Sequence, residues 1–493
     1  MSDNAAPRGN RLLIRKSIDQ VQREAASTHL KRTLGPINLV FLGIGCIIGA
    51  GIFVIAGTAA AEHAGPAVIL SFVIAGLGCL FAGLCYAEFA SMIPESGSSY
   101  TYAYATMGRF MAWFIGWNMV LEYLVSASTV AVGWSGYFMN FLRNFGITFP
   151  AAFANAPLAG TGIHDLHLTG AIINFPAVAL IIGLSAFLVV GVRESAKFNG
   201  LMVLIKVGIV LLVILFGLPY VHSANLHPLI PPNEGEWGKF GVSGILAASG
   251  MIFFAYIGFE AVSVAAQEAK NPKRDVPIGI LGSLFICTIL YMLMAVVLTG
   301  ITDWRTLDVP NPVSFAVSKL PDLHWLVVWI DVAALAGLAS VTFVSLYGQS
   351  RVFFSMARDG FLPPGFCAIH KRFHTPHRGT IITAVFAALL AAIFPLDILA
   401  DLVSIGTLLA FVAVCAGIMI LRVQCPKAER SFRTPWVWFV APAGIVVCGL
   451  MMFSLSDATW LRLILWTAIG LVIFFVYGYW HAAPSKWKVS NGN

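Results

Sequence analysis

The chain has 493 residues, of which 58% are hydrophobic and 11% charged, with a formal net charge of +7. Soluble domains carry about 25% charged residues, so this composition excludes a water-soluble globular protein and implies an integral membrane protein. The basic excess calls for no nucleic acid, because the cations flank apolar runs where a membrane surface would meet them.

The N-terminal segment carries Arg8, Arg11, Arg15, Lys16 and Arg23 and has no short apolar run ending in a small-residue cleavage site, which predicts a retained cytoplasmic tail over residues 1–33. A helix needs roughly 20 apolar residues to cross the hydrocarbon. Twelve stretches qualify, near 36–62, 66–92, 110–140, 170–191, 198–219, 243–267, 277–299, 326–350, 379–396, 399–421, 436–455 and 461–480. With both ends cytoplasmic, the inner segments hold 24 Lys and Arg and the outer segments five, which the positive-inside rule expects of an even number of crossings. A multi-pass protein of the cell membrane, a bacterial inner or plasma membrane in this reading, is expected. The eight cysteines show no CxxC spacing and read as small apolar residues. No HExxH motif occurs, and the two HxxH pairs, His164/His167 and His374/His377, lie in loops between the expected spans, so no metal site and no enzyme is expected.

Two stretches are interrupted by glycine. The first reads Gly43-Ile-Gly45-Cys-Ile47-Ile48-Gly49-Ala50-Gly51-Ile-Phe, and the sixth reads Phe253-Phe254-Ala255-Tyr-Ile257-Gly258-Phe-Glu260-Ala. Glycine either lets helices approach closely or eases unwinding. Two breaks five spans apart fit an inverted repeat of spans one to five and six to ten. Unwinding exposes N–H groups at one half-helix start and carbonyls at the other half-helix end. A ligand carboxylate would meet the N–H groups of Ala50 and Gly51. Its ammonium would meet carbonyls at Ile47, Phe254 and Ile257. A zwitterion such as an amino acid suits this arrangement.

The sequence resembles the amino acid–polyamine–organocation permeases, within them the cationic amino acid transporter branch. The resemblance rests on Gly45-Cys-Ile-Ile-Gly-Ala-Gly-Ile-Phe53, Tyr86-Ala-Glu-Phe-Ala-Ser-Met-Ile-Pro94, Ser96-Gly-Ser-Ser-Tyr-Thr-Tyr102, Leu121-Glu-Tyr123, Gly133-Trp-Ser-Gly-Tyr137 and Phe253 to Ser263. Further matches are Glu268-Ala-Lys-Asn-Pro-Lys-Arg-Asp-Val-Pro277 and Ser350-Arg-Val-Phe-Phe-Ser-Met-Ala-Arg-Asp-Gly360. It implies an all-α fold of twelve transmembrane helices. A five-plus-five inverted-repeat core of the leucine-transporter type would span 34–425, two additional helices 426–480 and a C-terminal cytoplasmic tail 481–493. It also implies alternating access.

Lys206 lies about 12 Å into its span at 1.5 Å per residue. It either snorkels to the interface or is a buried ammonium that loses and regains a proton. The resemblance implies the second, with the proton as coupling ion, no sodium and no cofactor. Glu260 either holds the sixth break open, with Gly258 and Gly45 easing the unwinding, or relays protons; relatives often have aspartate there. Glu122 either lines the side-chain end of the pocket or balances a cation such as Lys206, and an intramembrane carboxylate should face the bundle interior in either case. Glu88 reads as a structural hydrogen-bonding residue. Ile48, Phe254, Ala334, Leu338 and Ser345 complete an apolar pocket in which Phe254 is either a lid or ordinary packing.

The basic stretch Arg351 to Arg378, including Asp359, either latches an inner gate or meets anionic lipid; the positive-inside count favours lipid. The expected partners are an L-amino acid and membrane lipid. No residue identifies a small accessory membrane protein. Proton-coupled import of cationic or neutral L-amino acids is the expectation, and an obligate exchanger or a polyamine transporter on the same fold is the alternative.

Overall fold

A chain in hydrocarbon has no water to satisfy its backbone, so apolar segments close their own hydrogen bonds as helices. The computed structural model describes residues 12, 15–16, 33–93, 98–160, 166–191, 196–373 and 375–482. Helix α1 (Pro36–Ile47) starts on a proline, whose missing N–H is harmless there, and stops at Ile48, which is extended with ψ 99°. Helix α2 (51–64) opens and closes with π-helical turns, Gly51–Ile55 and Ala60–Ala64. Gly65, at φ +58°, turns the chain into α3 (Val68–Met92).

Next come α4 (Ser98–Thr106), α5 (Arg109–Asn144), α6 (Phe175–Val190) and α7 (Ala196–Gly217). Strands β1 (Leu158–Ala159) and β2 (His167–Leu168) pair antiparallel in the connection before α6. Helix α8 (Gly241–Ile252) tightens into a 3-10 turn at Phe253–Tyr256, and a short α9 (Ala261–Val264) follows the interruption. The chain continues through α10 (Pro272–Ile301), α11 (Pro312–Ser318), α12 (His324–Arg358), α13 (His377–Ile393), α14 (Leu396–Gln424), α15 (Val437–Ser454) and α16 (Asp457–His481).

Among the described residues nine helical stretches are long and apolar enough to cross a membrane, and α1, α6 and α13 are shorter apolar helices. One of the nine is the run Gly51–Met92 of 42 residues. Drawn straight it would measure about 63 Å, twice the hydrocarbon thickness of about 30 Å, and Gly65 divides it. The expected apolar stretches fall on these helices, whereas α4 and α11 lie outside them. Both were hidden by composition: α4 is polar and tyrosine-rich, and α11 is 7 residues long.

Helix α10 packs on α1, α3 and α7, and α12 packs on α5 and α7. Helix α13 lies on α6, α8 on α3, and α14 on α3 and α5, while α15 covers α3 and α14. Large apolar side chains such as Phe187, Leu215, Phe285, Phe453 and Val476 are exposed on the outward faces, as a lipid solvent requires. Lys16 and the adjoining ends of α3, α12 and α14 define one end of the bundle, called here the tail face. Near that end the buried Glu88 accepts Nε and Nη2 of Arg422 at 2.8 Å each, Nε of Arg430 at 3.1 Å and the Thr434 N–H at 2.8 Å. This is the structural role expected of it, and it welds the 425–436 connection to α3. Arg109, the first residue of α5, is buried and donates from Nη2 to the carbonyls of Gly478 and Tyr479.

Candidate functional site

Helical geometry after α1 resumes at Ala50 (φ −60°, ψ −23°), so the N–H groups at the start of α2 have no preceding turn of their own helix to bond. The second interruption runs from Ile257, extended at ψ 135°, through Gly258 at φ +120°, a conformation L side chains rarely adopt. The interruptions lie against each other. A methyl group on Gly51 would stand 2.2 Å from the Ala255 Cα, and one on Gly258 would stand 2.8 Å from the Cys46 carbonyl. No other residue fits at these crossings without moving a backbone. Ahead of α1, Thr33 and Leu34 donate to the Glu268 carbonyl at 3.0 Å, and Lys270 donates to Leu34 at 2.8 Å. The tail-face halves α1 and α9 are thereby tied into one body.

The carbonyls expected to be free are in part engaged. Ile47 and Ala255 both accept from the Tyr291 hydroxyl, at 2.8 and 2.9 Å, and Phe254 accepts the Ile257 N–H at 3.3 Å. Tyr291 lies on α10, fully buried, and no sequence pattern singled it out. A tyrosine in a long apolar run was the available signal, since a buried hydroxyl seeks an acceptor.

Lys206 is buried, and its Nζ donates to the Gly45 carbonyl at 2.8 Å, just before the first interruption. Its stem rests on α12, where a methyl group on Gly337 would meet Cε at 3.0 Å. The snorkelling alternative is overturned by this burial. Val341, one turn further along α12, faces Gly49 at 3.2 Å from a built Cβ. Leu338 sits between these contacts in sequence and is buried, as are Ile48 and Phe254.

Glu260 accepts the Gly258 N–H through Oε2 at 2.9 Å, and its own carbonyl accepts the Ser263 N–H at 2.8 Å. It thus caps the interruption beside which it stands. Glu122 is buried in a π-helical turn, Leu121–Val125, with its carboxyl group beside that of Glu260. Glu260, Tyr86 and Tyr123 are its electrostatic neighbours. Such turns often mark functional positions. The sequence shows the carboxylate but not the turn, because periodicity changes by one residue only.

At the end of the bundle opposite the tail face, a cavity of about 1250 Å³ opens between α2, α5, α11 and α12. Val54, Val132, Gly133 and Leu396 belong to its lining, and Ala50 lies directly under Gly133, 3.6 Å from a built Cβ. Asp331 anchors the wall, accepting Asn140 at 2.7 Å, Asn144 at 2.9 Å and the Ser314 hydroxyl. Tyr137 donates to the Phe53 carbonyl at 2.7 Å and fixes α2 to α5. Sequence reasoning missed this wall, whose polar residues are scattered over three helices.

Two interrupted helices crossing at the centre of an apolar bundle, beneath an open cavity, are the arrangement of a membrane carrier. The amino acid permease profile matches residues 34–480. In Bacillus subtilis (strain 168), a methylthioribose transporter and the branched-chain amino acid permease BcaP are each 42% identical, over 96% and 95% of this chain and 99% and 98% of their own lengths. The vacuolar cationic amino acid transporter 2 of Arabidopsis thaliana is 37% identical over 85% of this chain and 64% of its own. The chain belongs to the amino acid permease family of the amino acid–polyamine–organocation superfamily, and is a multi-pass membrane transporter.

Proposed function

We propose that the protein imports L-amino acids, neutral or cationic, by proton-coupled symport through alternating access, with no sodium. The observation that carries this is the buried Lys206 ammonium on the Gly45 carbonyl, one turn from the first interruption. An ammonium there holds α1 by its charge, and its deprotonation would release that carbonyl. Proton binding and the position of α1 are thereby one equilibrium. The substrate carboxylate lies at the N–H groups of Ala50 and Gly51, and its side chain among Ile48, Phe254, Leu338 and Glu122. Glu260 and Gly258 keep the second break open. The branched-chain and cationic names of the relatives support this substrate range.

Twelve crossings and a five-plus-five repeat complete the reading. What supports the repeat is that packing partners recur with an offset of five spans: α3 with α10, α5 with α12, and α6 with α13. Residues 34–425 form that core, 426–480 add two helices, and both termini face the cytoplasm of a plasma membrane. The tail face is then the inner face.

The test is uptake of a panel of labelled L-amino acids into proteoliposomes, in sodium-free buffer, with and without an inside-alkaline gradient. Gradient-driven accumulation by wild type, lost in Lys206→Met while counterflow persists, is the expected result. Equal pH-driven accumulation by Lys206→Met would overturn the coupling role.

A further inference from the structure

At the tail face the connection from α14 to α15 is wound around one buried guanidinium. Arg430 donates to the carbonyls of Cys425 at 2.7 Å, Ala428 at 2.9 Å and Pro426 at 3.2 Å, and to Glu88 on α3 at 3.1 Å. With Arg430 turned inward, its neighbours Lys427, Glu429 and Arg433 are all exposed. Lys273, at the start of α10, reaches this surface, because its Nζ lies 3.9 Å from Glu429. Arg274 is exposed beside it. Four exposed cations thus accompany one exposed carboxylate, and an ion pair so open to solvent offsets little of their charge.

The same surface continues into side chains that face hydrocarbon. Helices α10 and α15 both pack on α3. A methyl group on Gly76 or Gly83 of α3 would touch Thr288 or Leu284 of α10, and one on Gly78 would touch Met451 of α15. At 3.6 residues per turn, Leu77 and Leu80 project between these two rows, and both are exposed. They floor a groove walled by α10 and α15. At the tail face the Thr434 hydroxyl donates to the Leu84 carbonyl at 3.0 Å, which lays the connection, and Arg433 with it, across the end of that floor. Trp436 follows at φ 41°, with 83% of its surface exposed. A bulky residue rarely holds a left-handed backbone, and here it does so with its indole turned outward beside the exposed Trp438 and Phe439. Tryptophan at the end of a lipid-facing helix marks the headgroup level.

We propose that this groove binds one anionic phospholipid, its phosphodiester at the cations of Lys273, Arg274, Lys427 and Arg433 and its acyl chains along Leu77 and Leu80. Basic residues at the interfacial end of a groove between membrane helices suit a headgroup phosphate, and a guanidinium can hold two of its oxygens. A soluble phosphate would leave the aromatic rim and the leucine floor unused. The bound lipid offsets the cation excess and ties α10 to the connection. The site goes beyond the transport reading and does not depend on the substrate or on proton coupling.

The test uses the full-length protein extracted with detergent from vesicles of equal parts phosphatidylglycerol and phosphatidylcholine, with the lipid retained after gel filtration measured by mass spectrometry. Wild type is expected to retain phosphatidylglycerol about 10-fold over phosphatidylcholine, the sum of several basic contacts. Lys273→Gln and Arg433→Gln should each lower that ratio about 3- to 5-fold. Lys371→Gln together with Arg372→Gln removes two exposed cations of the connection between α12 and α13 and should leave the ratio within about 2-fold. Inorganic phosphate in excess over lipid, compared with chloride at the same ionic strength, should leave it unchanged. A wild-type ratio near one, no fall in either single variant, an equal fall in the Lys371 and Arg372 variant, or displacement of the lipid by phosphate would overturn the site.

Discussion

The two ends of the bundle are built differently. The far end is a wide cavity of about 1250 Å³ whose wall is held by hydrogen bonds that the uncharged donors Asn140, Asn144 and Ser314 give to the Asp331 carboxylate. The tail face is drawn together by charge: Glu88 with Arg422 and Arg430, and Asp359 with Lys16. Neutral amides can stay in place around water, whereas withdrawn ion pairs hold elements in contact until they separate. The far end is thus open to the outside of the bundle in this structure, whereas the tail face is closed by ion pairs withdrawn from solvent.

The largest effect on this comparison should come from Glu88→Ala. It strands two partly or fully buried guanidinium groups and should cost about 3–5 kcal/mol, measured as thermal unfolding in detergent. Amide exchange should rise in 425–436 and not in 140–144; equal exchange at both ends would erase the distinction. Gly51→Ala forces a Cβ to within 2.2 Å of Ala255 and should cost about 1–3 kcal/mol by overpacking, with uptake lost at either orientation of the carrier. Tyr291→Phe strips a donor from Ile47 and Ala255 together. It should cost about 1–3 kcal/mol for buried acceptors left unpaired and slow uptake more than it weakens substrate binding. Asp331→Asn keeps a hydrogen-bonding group in the far wall and should cost about 0.5–1.5 kcal/mol, with maleimide alkylation of Cys46 on α1 unchanged. A rise in that alkylation would show that the two ends are not independent.

The helical fold was legible because hydropathy and the Lys and Arg asymmetry report directly on the bilayer. Both interruptions were legible because Gly51 and Gly258 occupy places where a methyl group has no room. What the sequence could not reveal were pairings made at long range. Glu88 with Arg422, Lys16 with Asp359, and Tyr291 with Ile47 join residues separated by 334, 343 and 244 positions. Asp359 was read within a basic loop facing lipid, the reading favoured by charge counting, yet it is engaged by Lys16 and Tyr100. Composition registers how many charges lie near an interface and carries no information about which of them face inward.

The Tyr291 contact has a consequence for motion. A hydroxyl owns one hydrogen, so the carbonyls of Ile47 and Ala255, at 2.8 and 2.9 Å, share it. If one interrupted helix withdraws, the hydrogen can pass wholly to the other without an intermediate in which it bonds to nothing. The joint is then a hand-over between near-equal acceptors, and a parting of the helices at this point would exchange a bond in place of breaking one.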